Sequence, residues 1–307
     1  MNDKEEYFKK QKKSLLKTNQ VKRFWTIDEY GHGFFLPMTR TRDFEPIYNG
    51  KLDSLKPNET YTSMWAEFDT NPNMVDDYSI SYKMNKDGFR SDNFIKKHEG
   101  LHILFAGCSE TFGSAANLND VWAKMCYDKI SSYKRVSGYF NIGHPGASMF
   151  TILNQILVYI ENYGSPDLLL LNVPNFERTY GWSFDHNQIM QETDQGIHSN
   201  KKKYFDRIFQ NAYLYWTLER MCKIMNIKLI WSCWQQVDAF NIEFLDIFNN
   251  YISITNAEDF GKYHMENWDK YKDIPYSLVR RDAQHHGTFI HRYWADKFIE
   301  AVNNYEI

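Results

Sequence analysis

The chain has little of what several protein classes require. Its 307 residues include only four cysteines, Cys108, Cys126, Cys222 and Cys233. No two form a CxxC pair and they are too scattered for a disulfide framework, so they read as reduced thiols. Fifteen glycines and eight prolines leave little room for long linkers. There is no excess of positive charge, since 36 Lys and Arg face 39 Asp and Glu for a net charge of -3. A chain so balanced has no field to gather nucleic acid or an anionic membrane, and neither is expected as a partner. Long apolar runs are missing too. No stretch approaches the roughly eighteen residues of a membrane span, and the opening "MNDKEEYFKKQKKSLLK" is charged where a secretory signal has an apolar centre. A cytoplasmic protein is the expectation.

Aromatic side chains are abundant at 17% of the sequence, which fits core packing supplemented by amphipathic surface rings. Residues 1–20 read as a charged helix or a frayed arm. From Trp25 to about Gly100, short aromatic and β-branched pieces alternate with "GHG", "NG", "KPN", "NPN" and "KDG", the punctuation of strands and turns. Residues 1–100 are therefore expected to form a β-rich accessory region, followed by a second unit over 101–307.

Beyond Gly100 the pattern becomes regular. "LHILFAG", "GYFNIG", "PDLLLLNV" and "IKLIWSCW" read as buried strands. Between and after them, "NDVWAKMCYDKISSY", "MFTILNQILVYIENYG", "RIFQNAYLYWTLERMCKIMN" and "HGTFIHRYWADKFIEAVNNY" read as helices. Continuous apolar strands separated by helices indicate parallel βαβ units with helices on both faces, a three-layer α/β/α sandwich. In such sheets ligands bind beyond the carboxyl ends of the strands. Those ends are followed by Gly107, Cys108 and Ser109, by "NIGHPGAS" and by "NVPNFER", and "RDAQHHG" stands just before the last helix.

These four segments, "GCSET", "NIGHPG", "VPN" and "DAQH", resemble the four blocks of the SGNH (GDSL-type) hydrolase family, in the family's order. The resemblance covers about 200 residues. It implies a mainly parallel five-stranded sheet in a flavodoxin-like arrangement and a serine hydrolase needing neither metal nor cofactor. Ser109 would be the nucleophile, His285 the general base and Asp282 the group that orients the imidazole. The backbone N–H groups of Ser109 and Gly146 and the side-chain amide of Asn175 would form the oxyanion hole. Such a set is chemically coherent: a serine hydroxyl needs a base, and a tetrahedral oxyanion needs donors already in place.

The sequence departs from the family pattern at Cys108, at His286 and at Phe176. The last departure leaves Asn172 open beside Asn175. Successive residues at a strand end point in different directions, so Cys108 is expected to be a buried filler beside the nucleophile. A metal reading of Asp282, His285, His286 and His291 lacks a second ligand cluster. Gly143 and Gly146 match neither a dinucleotide nor a Walker loop. The polar, aromatic stretch 177–203, with Trp182 and Phe184, is placed to border a substrate cleft. The expected activity is cleavage of an ester, a carbohydrate O-acetyl group being one candidate, through an acyl-serine. Acyl transfer by the same triad and a non-catalytic binding module on the same fold are the alternatives.

Overall fold

The computed structural model describes residues 60–64, 79–114, 116–145, 147–174, 179–183, 188–192, 201–234, 248, 250–252, 254, 257–271 and 285–305. Within them, β1 (Thr60–Met64) and β2 (Ser79–Lys83) pair antiparallel. The central sheet holds β3 (Ile103–Gly107), β4 (Phe140–Asn141), β5 (Leu168–Val173) and β8 (Lys228–Cys233) in the order β4-β3-β5-β8, all parallel. A separate antiparallel hairpin, β6 (Thr179–Ser183) with β7 (Gln188–Glu192), lies in the stretch expected to border the cleft. The side chains of this hairpin, Trp182 among them, and residue Phe184 lie outside the described set.

The helices are α1 (Ser109–Phe112), α2 (Trp122–Ser131), α3 (Met149–Tyr163), α4 (Lys201–Ile224), α5 (Ala257–Tyr271) and α6 (Thr288–Asn304). None among the described residues is long and apolar enough to cross a membrane. Among the described residues the sheet has four strands, against the five that the resemblance implies. Beyond β8, Tyr251 makes a single parallel bridge to Trp231, with Trp231 N–H donating to the Asn250 carbonyl and Ile252 N–H to that of Trp231.

Strand alternation sorts the core into two layers. Leu104, Ala106, Leu169, Leu171, Leu229 and Trp231 face one side, where Ile152, Ile156 and Tyr159 of α3 and Tyr215, Leu218 and Cys222 of α4 cover them. Ile103, Phe105, Leu168, Leu170 and Ile230 face the other, under Trp122, Cys126 and Ile130 of α2 and Tyr293, Trp294 and Phe298 of α6. The positions 122, 126 and 130 recur at helical spacing, which gives α2 one apolar face. Trp122 stacks on Phe298 with ring centroids 4.5 Å apart. Each such ring, fully buried, contributes about 1.5–3 kcal/mol through the surface removed from water. Phe89 and Phe94, which precede the first sheet strand, belong to the first layer as well. Much of the aromatic content thus goes to the core.

Helix limits follow from local chemistry. The Ser148 hydroxyl accepts from Thr151 N–H at the start of α3, and Gly164, at φ +91°, closes it with its N–H on the Ile160 carbonyl. At the top of β3 the chain turns directly into α1. A Cβ on Gly107 would collide with Thr111 Oγ1 and with the Asn172 carbonyl oxygen. Only glycine lets α1 sit this close to the strand end. Gly107→Ala is therefore expected to lower stability by at least about 2 kcal/mol, as overpacking against backbone does. Urea denaturation read by tryptophan fluorescence measures it.

Candidate active site

Ser109 is the first residue of α1, directly above the carboxyl end of β3. As the first helical residue, its N–H has no acceptor within the helix. Two contacts hold this short helix at its far end and flank. The buried Arg90 guanidinium donates to the Gly113 carbonyl at 2.9 Å and lies over the Tyr82 ring at 4.6 Å. On the flank, Asn141 Nδ2 donates to the Thr111 carbonyl at 2.9 Å, while Asn141 Oδ1 accepts from Gly143 N–H at 2.7 Å. Asn141 thereby ties the "NIGHPG" loop to the serine turn. Gly143 is the close-approach point, because a Cβ there would lie 2.6 Å from Phe112 N.

The neighbours of the serine diverge. Cys108 is fully buried in the α3/α4 layer, and its Sγ accepts from Trp234 Nε1 at 3.2 Å. That burial agrees with a filler role. Ser109 is partly exposed, with its hydroxyl 4.0 Å from Cys108 Sγ. Glu110 is only 1% exposed. Its Oε1 accepts from the backbone N–H of His286 at 3.2 Å and lies 2.9 Å from His286 Nδ1. Its Oε2 lies 3.0 Å from His291 Nε2. His291 Nδ1 in turn accepts from Trp122 N–H at 3.1 Å. This assigns His291 as the neutral tautomer with its proton on Nε2, aimed at Glu110.

His285 and His286 precede α6, and Gly287 caps that helix. The His286 ring lies edge-on to Trp234 at 5.5 Å and to Trp294 at 4.9 Å. The serine turn and the histidine turn therefore meet twice, through Glu110 and through the Cys108–Trp234–His286 stack. Among the described residues no hydrogen bond joins Ser109 Oγ to His285. Asp282, Gly146 and Asn175 lie outside the described residues. Asn172 is fully buried inside β5, level with Gly107 and Ser232. Neither of its amide atoms has a hydrogen-bond partner among the described residues. No group of three or more His, Cys, Asp or Glu among those residues is arranged to hold a metal ion. Glu110 stands between its two histidines and pairs with each separately.

Glu110, Asn141 and Arg90 are not singled out by the sequence pattern, and His291 enters there only in the metal reading and within the last helix. Asn141 had a signal, since it stands where the second strand gives way to "IGHPG".

The chain is similar in structure to esterases and lipolytic hydrolases. One is a lipolytic protein of the G-D-S-L family from Veillonella parvula, at 14% identity and a TM-score of 0.35, covering 67% of this chain and all of that one. Another is the acetyl xylan esterase AlAXEase, at 17% identity and a TM-score of 0.39, covering 65% of this chain and 98% of that one. A third is the psychrotrophic esterase EstA from Pseudoalteromonas sp., at 12% identity and a TM-score of 0.36, covering 66% and 98%. No family model and no curated protein matches the sequence.

Two histidines outside the Glu110 contacts are held neutral. His144, in the "NIGHPG" loop, is buried with neither ring nitrogen hydrogen-bonded among the described residues, and burial pushes its pKa down to about 4, the Pro145 backbone only partly opposing this. His102, at the opposite end of β3, is pushed down to about 4 by burial and by the His98 ring stacked 3.5 Å away, with Asp167 opposing. An unfolded chain takes up protons at both residues near pH 6.5 that the folded chain refuses until about pH 4. Between those values the unfolded state binds more protons, so stability falls on acidification, by about 1.4 kcal/mol for each unit of pKa difference. The urea midpoint is expected to drop from pH 7 to pH 5, and His144→Leu should flatten that dependence. An unchanged midpoint would contradict neutral burial.

Proposed function

We propose that the chain is a serine esterase of the SGNH type, with residues 101–307 as the catalytic unit and 1–100 as an accessory region. The substrate class is a small-molecule or carbohydrate ester. The observation that carries this reading is the double contact of Glu110 with His286, which sets the Ser109 turn against the His285 turn at the carboxyl edge of the parallel sheet. That edge is where ligands bind in such sheets.

In this mechanism Ser109 Oγ attacks the ester carbonyl carbon while its proton passes to His285, oriented by Asp282. The oxyanion is held by the N–H groups of Ser109 and Gly146 and by the Asn175 amide. Collapse breaks the bond to the alcohol oxygen, which takes the proton from His285. Water then attacks the acyl-serine with His285 again as base, and the acyl–Oγ bond breaks to release the acid as Ser109 Oγ takes the proton back from His285. Ser109–His285 contact belongs to the substrate complex, because catalytic hydrogen bonds of this kind often tighten only when substrate is bound. An acceptor alcohol in place of water would make the same site an acyltransferase. The complete burial of Asn172 favours Asn175 as the amide donor, since a substrate oxygen does not reach the interior of β5.

Ser109→Ala is expected to abolish hydrolysis of p-nitrophenyl acetate and labelling by a fluorophosphonate, while Cys108→Ala keeps a good part of both. Asn175→Ala should lower kcat by roughly two to three orders of magnitude with a smaller change in KM. Full turnover in Ser109→Ala would remove the serine from the chemistry. Absence of turnover in the wild type towards simple acyl esters, with no phosphonate labelling, would favour the binding module.

A further inference from the structure

We infer that Glu110 is a positioning residue for the reaction proposed above, the buried anchor that holds the histidine turn in register with Ser109. This inference rests on that reading of the site. A carboxylate in the interior is tolerated only when its oxygens are hydrogen-bonded, and each Glu110 oxygen reaches a different element. Oε1 takes the His286 backbone N–H at 3.2 Å and lies 2.9 Å from the His286 ring, so it grips the peptide that follows His285. Oε2 reaches His291 on α6 at 3.0 Å, and the other nitrogen of that ring accepts from Trp122 N–H at the start of α2.

The path from nucleophile to base is correspondingly short. Ser109 and Glu110 are consecutive in α1, and His285 and His286 are consecutive before α6. One carboxylate thus spans a sequence separation of 176 residues and fixes the two catalytic backbones against each other. A base misplaced by about 1 Å costs on the order of a hundredfold in rate. Substrate binding makes no demand on this link, because Glu110 is sealed beneath the turn. The loss on breaking it therefore falls on kcat and leaves KM in place. Glutamine is the informative replacement: it keeps the shape and one acceptor oxygen but presents an NH2 to the other side, where an N–H donor already stands.

The test uses the full chain, with p-nitrophenyl acetate turnover, the rate of fluorophosphonate labelling and the near-UV circular dichroism of wild type, Ser109→Ala, Glu110→Gln, His285→Ala and His286→Ala. Ser109-dependent turnover in the wild type establishes the reaction itself, and its absence would sink the proposed function before Glu110 is considered. Given that turnover, folded Glu110→Gln should lose about ten- to hundredfold in kcat and labelling rate with KM within about twofold. A folded Glu110→Gln with wild-type kcat, or with a loss confined to KM, would overturn the inference and leave the proposed function standing. If Glu110→Gln does not fold, His286→Ala decides. Its ring is partly exposed and its backbone N–H is kept, so a smaller, several-fold fall in kcat at unchanged KM supports the anchor, and unchanged kcat overturns it. Abolition in His286→Ala with activity kept in His285→Ala would also overturn it, by making His286 the base and Glu110 its direct carboxylate partner.

Discussion

A carboxylate buried next to the serine constrains everything around it. Left without donors it would cost several kcal/mol, so the fold must bring N–H groups to both oxygens of Glu110. Those donors come from the turn before α6 and from α6 itself. The His291 tautomer that can donate to Oε2 must accept at its other nitrogen, and the N–H at the start of α2 supplies the proton. The carboxylate therefore links α1, α2 and α6 through one continuous chain of hydrogen bonds. Packing of α2 on α6, with Trp122 stacked on Phe298, keeps that chain dry.

The turn that carries Glu110 is just as tightly determined. Gly107 allows α1 to approach the strand end, Asn141 joins it to the next loop, and Arg90 satisfies a carbonyl at its far end. A four-residue helix is far too short to persist by its own hydrogen bonds. Its geometry is imposed by these neighbours, which come from well before and after it in sequence. A serine on a turn held in this way has little freedom, which suits attack on a positioned carbonyl.

What the sequence discloses follows how local the cause is. Apolar runs such as "LLLLNV" and helices with a clean apolar stripe, such as α2 and α3, announce themselves, and their limits fall within a few residues of expectation. α4 starts at Lys201, earlier than the apolar pattern suggests, because its first residues are three lysines. α5 has no clear signal in the sequence: "AEDFGKYHMENWDKY" is mostly polar and carries a glycine. The serine and histidine turns could be located because they follow strand ends and precede a helix. Glu110 could not, since its partners lie 176 and 181 residues away and a glutamate beside a serine looks like any surface acid.

Cys108 and Ser109 are separated by direction rather than by reactivity. Where the chain leaves β3, three consecutive side chains part company: Cys108 enters the α3/α4 layer, Ser109 stays at the open edge, and Glu110 enters the α2/α6 layer. A thiol locked inward, accepting from the Trp234 indole, is turned away from any substrate at that edge. Its sulfur nonetheless contributes to the site. The indole it holds lies edge-on to His286, the ring that Glu110 grips from the other side. The two neighbours of the serine thus approach the same histidine from opposite core layers, and the partly exposed serine between them is left as the one member of the trio that can meet a ligand.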